Sequence, residues 1–244
     1  MINVLHLYYD LLNLYGENAN TRCIKHNLEL NNIKVNVDLK SINDKIDFTK
    51  YDLVYISMGS EDNLIIALKD ILKYKNDLKK YIESNKFLLL TGNAMDLFGK
   101  YIETYDEKIN ALNIFNYHTK FITESMFENA STDRIVGEVR GTTKLIKEEI
   151  IGFQNRCDLV YNVKTPLFKL DSKFSNDLSN KNEGFTYKNV YASHIIGPLL
   201  IRNPYFTDYL LKELCKSKKL EYKKSDEDQI KAYNAFISYK KVSK

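Results

Sequence analysis

The chain has 244 residues, 44% of them hydrophobic and 28% charged, which is enough for a sizeable core and ordinary for a folded soluble domain. Its 36 basic and 32 acidic residues leave a net charge of +4 that is spread along the chain with some gathering near the C-terminus, and this argues against a nucleic-acid binder. Three distant cysteines without a CxxC pair or histidine cluster argue against a metal site. The absence of a signal-peptide pattern, or of roughly 18 consecutive apolar residues, predicts a cytoplasmic protein with no transmembrane segment.

Residues 2–8 alternate as a first strand, and Asn13-Leu14-Tyr15-Gly16 closes it into a loop. Asn20 or Thr21 is then placed to cap a helix whose inward stripe is Cys23, Ile24, Leu28 and Leu30. Residues 33–39 alternate strictly as a second strand. Residues 51–57 form a buried parallel strand ending in the Met58-Gly59-Ser60 turn. Residues 61–83 form a long amphipathic helix with a break near residues 74–76.

Next comes Lys86 to Gly99, KFLLLTGNAMDLFG, a short apolar strand that ends abruptly and hands over to a helix-like turn. Such a turn projects its apical side chain from the end of a sheet beside exposed N–H groups, which is how a nucleophile elbow is built. The apical residue here is Thr91. Beyond it the pattern becomes more β-rich, at residues 101–104, 111–117, 134–140, 144–146, 150–153 and 159–163. The polar stretch 168–183 reads as a loop or insertion, 185–194 as a strand ending at Gly197-Pro198, and 205–218 and 226–239 as helices. The expected fold is α/β, one domain over residues 1–244 with an open, mostly parallel, flavodoxin-like sheet flanked by helices. Residues 58–61 and 91–94 should border one crevice at its carboxyl edge.

Several segments fall together in a recognisable order: Leu12-Asn13-Leu14-Tyr15-Gly16, Met58-Gly59-Ser60-Glu61-Asp62, the elbow with Gly99-Lys100-Tyr101-Ile102, Ile151-Gly152-Phe153-Gln154-Asn155, and Gly197-Pro198 with Thr207-Asp208-Tyr209-Leu210-Leu211. Over nearly the whole chain this resembles the GatD family, the cobyric-acid-synthase-type glutamine amidotransferase subunits of lipid II isoglutaminyl synthase. The resemblance implies a class I amidotransferase fold with no cofactor of its own. In that family an elbow cysteine attacks the amide of glutamine, with a histidine before the late Gly-Pro as base. Ammonia then passes to a MurT-like Mur ligase, which uses ATP to activate D-glutamate in the lipid II stem peptide.

The chain departs from that pattern at three coupled places. Where the family has Cys-Gly-Gly-aromatic-Gln, this sequence reads Thr91-Gly92-Asn93-Ala94-Met95, and the histidine position holds Ile196. The nearest substitute base is His194, two residues earlier and on the same face if the strand stays regular. By the resemblance, Gly59 and Gly92 belong to the loops that border the substrate, and Arg134 matches an arginine that holds glutamine's carboxylate.

Each candidate also has a plain structural reading. Thr91 is a strand-end residue bonding to the helix start, Gly59 an ordinary turn, and Arg134 a solvated arginine after an inserted stretch at 121–131. Cys23 and Cys215 are packing residues, and Cys157 is the cysteine placed to approach a cleft. Arg156 and Asp158 suit a local ion pair, and His6 and His118 are structural or exposed. A threonine hydroxyl needs a strong base that the sequence does not supply, so the expected protein keeps the scaffold and has lost the glutaminase step. The alternatives are a free-standing binder of a small amino-acid-like ligand, glutamine or a related small molecule, held by Arg134 and the Gly59 loop, and an active enzyme using Thr91 with His194.

Overall fold

The computed structural model describes residues 1–122, 134–172 and 174–242, with side chains as far as 239. The first half alternates strand and helix: β1 (Ile2–Leu7), α1 (Ala19–Leu30), β2 (Val35–Lys40), β3 (Leu53–Ile56), α2 (Glu61–Ile71), α3 (Lys75–Glu83) and β4 (Phe87–Thr91). The second half supplies β5 (Tyr101–Glu103), β6 (Lys108–Asn110), β7 (His118–Phe121), β8 (Ile135–Thr142), β9 (Ile150–Arg156), β10 (Asp158–Tyr161), β11 (Phe168–Leu170), β12 (Asn182–Glu183), β13 (Phe185–Tyr187) and β14 (Val190–Ser193). Helices α4 (Leu199–Arg202), α5 (Pro204–Ser217) and α6 (Glu227–Val242) follow.

The central sheet has the order β13-β14-β4-β3-β1-β2, and all of its pairs are parallel except the β13–β14 hairpin. Two four-stranded sheets, β10-β7-β5-β6 and β12-β11-β8-β9, are built from the second half. The strand period of two divides the central sheet into two cores. Val54, Ile56, Leu88 and Leu90 pack with α2 and α3 on one face, while Leu53, Tyr55, Phe87 and Leu89 join Ile24, Leu28, Phe206 and Leu210 on the other. This burial of both faces explains why β3 and β4 read as continuous apolar runs.

The long helix of residues 61–83 does break, with Leu72–Tyr74 forming a 3-10 turn between α2 and α3. Three other expectations are corrected. Residues 111–117 and 144–146 are not strands, because their backbone groups go to turns and to the elbow: the N–H groups of Leu112, Ile114 and Phe115 donate to Leu97 and Phe98 carbonyls. The stretch 168–183 begins and ends in β11 and β12, and its interior residues Ser175 and Asn176 are buried. Asn20 does not cap α1, which begins at Ala19; its side chain turns inward to the site. Among the described residues, no helix is long and apolar enough to cross a membrane.

Candidate functional site

The carboxyl ends of β1, β3, β4 and β14 meet at the elbow, as the order of strands requires. Thr91 is the last residue of β4, and Gly92–Phe98 form a 3-10 turn in which every residue is buried. Gly92 has φ of 61°, and a Cβ there would sit 2.2 Å from the Cβ of Met58, so glycine lets the β3 and β4 loops pack in contact. Asn93 then ties the loops: its Oδ1 accepts the Gly59 N–H at 3.1 Å and its Nδ2 donates to the Gly59 carbonyl at 2.9 Å. The N–H that family resemblance assigns to oxyanion binding is satisfied within the chain.

Thr91 is fully buried, and its hydroxyl lies 2.9 Å from that of Tyr55; no side-chain bond to the following turn is formed. Tyr55 Oη donates to the carbonyl of Glu17 at 2.9 Å and accepts from Asn20 Nδ2 at 2.8 Å. Asn20 Nδ2 also donates to Glu17 Oε2 at 2.8 Å, and Asn20 Oδ1 accepts the Leu200 N–H at 2.8 Å. Glu17 Oε1 accepts the Gly197 N–H at 2.8 Å. Gly197, at φ of 102°, supports the bend that presents this N–H.

Glu17, Asn20, Tyr55 and Thr91 therefore form one buried polar knot. Burial raises the Glu17 carboxyl above its ordinary range against the hydrogen bonds from Gly197, Thr91 and Asn20 that favour its charged form. Met95 and Ile196, at the positions where the resemblance expects glutamine and histidine, are buried apolar residues.

His194 does not continue a regular strand toward Ile196. The Ser193 hydroxyl accepts the Ile195 N–H at 2.9 Å, Glu183 Oε1 accepts the His194 N–H at 2.7 Å, and Ile196 instead bridges Phe153 on β9. The imidazole enters a buried carboxylate cluster, with Nε2 3.2 Å from Asp158 Oδ1 and 4.0 Å from Asp96 Oδ1, and Nδ1 3.4 Å from Glu183 Oε1. Arg156 pairs with Asp158 Oδ1 at 3.1 Å and also holds the carbonyls of Asp158, Ser175 and Asn176.

Arg134 lies at a partly exposed rim, where its Nη1 donates to Glu61 Oε1 at 2.9 Å and its Nε to Asn155 Oδ1 at 2.8 Å. Cys157 donates to the same Glu61 oxygen at 2.9 Å, and burial and the neighbouring carboxylates push its thiol well above the usual range. That is the opposite of an activated nucleophile. Cys23 and Cys215 are buried packing residues raised to about 11, chiefly by burial. His6 is buried beside Thr21, and His118 stacks between Tyr101 and Tyr161.

The structure thus brings Thr91, Gly92 and Gly59 together, and directs His194 and Arg134 to carboxylates of their own. Sequence reasoning missed Glu17, Tyr55, Asn93 and Asp96. For Asp96 a signal existed, a lone carboxylate inside the apolar run NAMDLFG. Tyr55 within LVYI carried none.

No protein-family model matches the chain. It is 28% identical over 232 residues to the lipid II isoglutaminyl synthase (glutamine-hydrolyzing) subunit GatD of Staphylococcus aureus strain N315, covering 93% of this chain and 90% of that protein. To the subunit of the same name from Streptococcus pneumoniae strain R6 it is 27% identical over 205 residues, covering 83% and 76%. Among solved structures, PurLQS from Thermotoga maritima superposes with a TM-score of 0.53 at 13% identity, over 80% of this chain and 86% of that one. The glutaminase domain of Trypanosoma brucei CTPS with bound acivicin gives 0.52 at 9% identity, over 91% and 96%. Sequence relatives and sheet topology together identify the chain as a GatD-like protein on the class I glutamine amidotransferase fold.

Proposed function

We propose that this chain is the amidotransferase-type subunit of a complex that amidates lipid II, and that it supports a MurT-like ligase without hydrolysing glutamine itself. One observation carries the second half of that reading. The three groups available for glutamine chemistry at the crevice, the Thr91 hydroxyl and the N–H groups of Gly59 and Gly197, are all engaged inside the protein by Tyr55, Asn93 and Glu17. A bound glutamine would have to break these buried bonds before reaching a hydroxyl whose neighbouring carboxylate, Glu17, is itself held by the Gly197 N–H and Asn20. The curated relatives are named glutamine-hydrolyzing; this chain has Thr91, Met95 and Ile196 at the positions that the resemblance links to that step.

In such a complex the ligase draws ammonia from solution, and this subunit contributes binding surface and stability. The test is ATP-dependent amidation of lipid II by the chain copurified with its ligase, supplied with either ammonium or glutamine. Ammonium alone should support the reaction. Product formed from glutamine, with stoichiometric glutamate release, would overturn the proposal. Failure to copurify with any Mur-type ligase would instead favour a free-standing protein.

A further inference from the structure

The carboxylates of Asp96 and Asp158 and the imidazole of His194 each offer one ligand-type atom, all within 4.8 Å of one another, and all three residues are buried. They come from separate parts of the fold: the turn after β4, the start of β10, and the chain just beyond β14. Two details distinguish the cluster from an ordinary network of ion pairs. Asp96 is held through one oxygen, Oδ1 accepting from the Thr119 hydroxyl at 2.7 Å, while the buried Oδ2 has no hydrogen-bond partner. His194 has carboxylates around it, yet neither ring nitrogen makes an aligned hydrogen bond. Buried polar atoms rarely stay unsatisfied, since each forfeits its hydration without replacement.

We infer that Asp96, Asp158 and His194 hold a divalent first-row cation, zinc being the best match, as a structural tie between the central sheet and the second half of the fold. In a tetrahedral site with bonds of about 2.0–2.1 Å, ligand atoms stand about 3.3–3.4 Å apart. The 3.2 Å between His194 Nε2 and Asp158 Oδ1 fits that edge, and Asp96 can present its unpaired Oδ2 with a small rotation. One imidazole with two carboxylates favours zinc or manganese over calcium or magnesium, which prefer oxygen alone. Glu183 completes the pattern. Its carboxylate is fixed by the His194 N–H and the Ser193 hydroxyl, and its Oε1 faces His194 Nδ1 at 3.4 Å, as a carboxylate behind a metal-bound histidine does.

The charges agree with this assignment. With a divalent cation bound and His194 neutral, the ionised carboxylates of Asp96, Asp158 and Glu183 and the Arg156 guanidinium would sum with it to zero. The guanidinium is anchored chiefly on backbone carbonyls, and its 3.1 Å contact with Asp158 Oδ1 leaves that oxygen a second lone pair to turn toward the metal. Complete burial fits a site filled as the chain folds rather than one that exchanges with substrate.

The test measures metal content in the full chain expressed in medium supplemented with zinc and manganese. We expect about one equivalent per chain by elemental analysis, and loss of it in Asp96→Asn and His194→Gln that retain the wild-type circular dichroism. Metal retained at full stoichiometry in both variants would overturn the assignment. Should the variants not fold, the wild type decides: protein unfolded with a chelator is refolded with or without zinc or manganese. A raised thermal midpoint with the added metal supports the site, whereas no bound metal and an unchanged midpoint sinks it.

Discussion

The hydroxyls of Thr91 and Tyr55 lie 2.9 Å apart at the end of the central sheet, with no solvent access to either. A residue at the apex of an elbow would be expected to face a cleft. Here it faces a tyrosine projected from the neighbouring strand, and that tyrosine is bound in turn to Asn20 and Glu17. The apex serves as a joint between β3 and β4 and the loop after β1.

The first prediction concerns chemistry. Thr91→Cys places a thiol at the elbow beside Glu17, whose carboxylate is held by the Gly197 N–H and Asn20, while His194 lies in the separate cluster with Asp158 and Glu183, and it leaves the Gly59 N–H bonded to Asn93. Ammonia release from glutamine, followed through coupled oxidation of a nicotinamide cofactor with the ligase present, should stay at background in both wild type and variant. Glutaminase activity in the variant alone would show that the crevice is open to substrate after all.

The Tyr55 hydroxyl should be worth far more than one surface hydrogen bond. Tyr55→Phe leaves one hydrogen of Asn20 Nδ2 unpaired in a dry interior and takes from the Glu17 carbonyl one of its two donors, the Asn20 N–H at 3.0 Å remaining, and about 1–3 kcal/mol of stability should go with them. Urea unfolding measures the loss. Thr91→Val in the same background should add less than it costs alone, because the two hydroxyls belong to one network.

Much of this arrangement was legible in the chain. Hydrophobic period and turn chemistry located β1 to β4, the α2–α3 break and the elbow, because these depend on local sequence and on burial of both sheet faces. The polar knot was not legible. Glu17 lies in what reads as a loop, Asn20 in what reads as a helix start, and Tyr55 inside an apolar strand, so nothing local announces that they converge. The second half was harder for the same reason. Its strands are short and pair across long separations, as in the β9–Ile196 bridge, so pattern within a segment says little about its partner. A threonine at the apex of the elbow was visible at once, yet what Thr91 bonds to required the fold.

Glu17 gives a pH dependence of defined sign. Burial raises its carboxyl above the ordinary 4.5, so the folded state favours the protonated form more than the unfolded chain does. Its contribution is complete below that ordinary value and declines as pH rises through the raised one. Glu17→Gln removes the titration, so the difference in stability between wild type and variant should shrink as pH is raised from about 4 toward neutrality. The amide also directs hydrogens at either the Gly197 N–H or Asn20 Nδ2, both donors, and should cost about 1–3 kcal/mol at low pH. Chemical denaturation of both proteins across that range checks it; a gap that widens with pH would contradict the assignment.

Gly92 tests how closely the two loops must pack. Gly92→Ala meets two independent obstacles: a left-handed backbone at φ of 61°, and a new Cβ only 2.2 Å from the Cβ of Met58. The first costs about 1–2 kcal/mol for an L-residue, and the overlap adds about 1–3 kcal/mol because the core around the elbow has no room to give. Met58→Ala cannot relieve the second obstacle, since alanine keeps the clashing atom. Met58→Gly does remove it, though at the cost of a buried side chain. In a double-mutant cycle, Gly92→Ala should therefore be more costly in the wild type or in Met58→Ala than in Met58→Gly. Equal costs in all three backgrounds would mean that the loops separate readily, and that the elbow is less tightly closed than its buried hydrogen bonds imply.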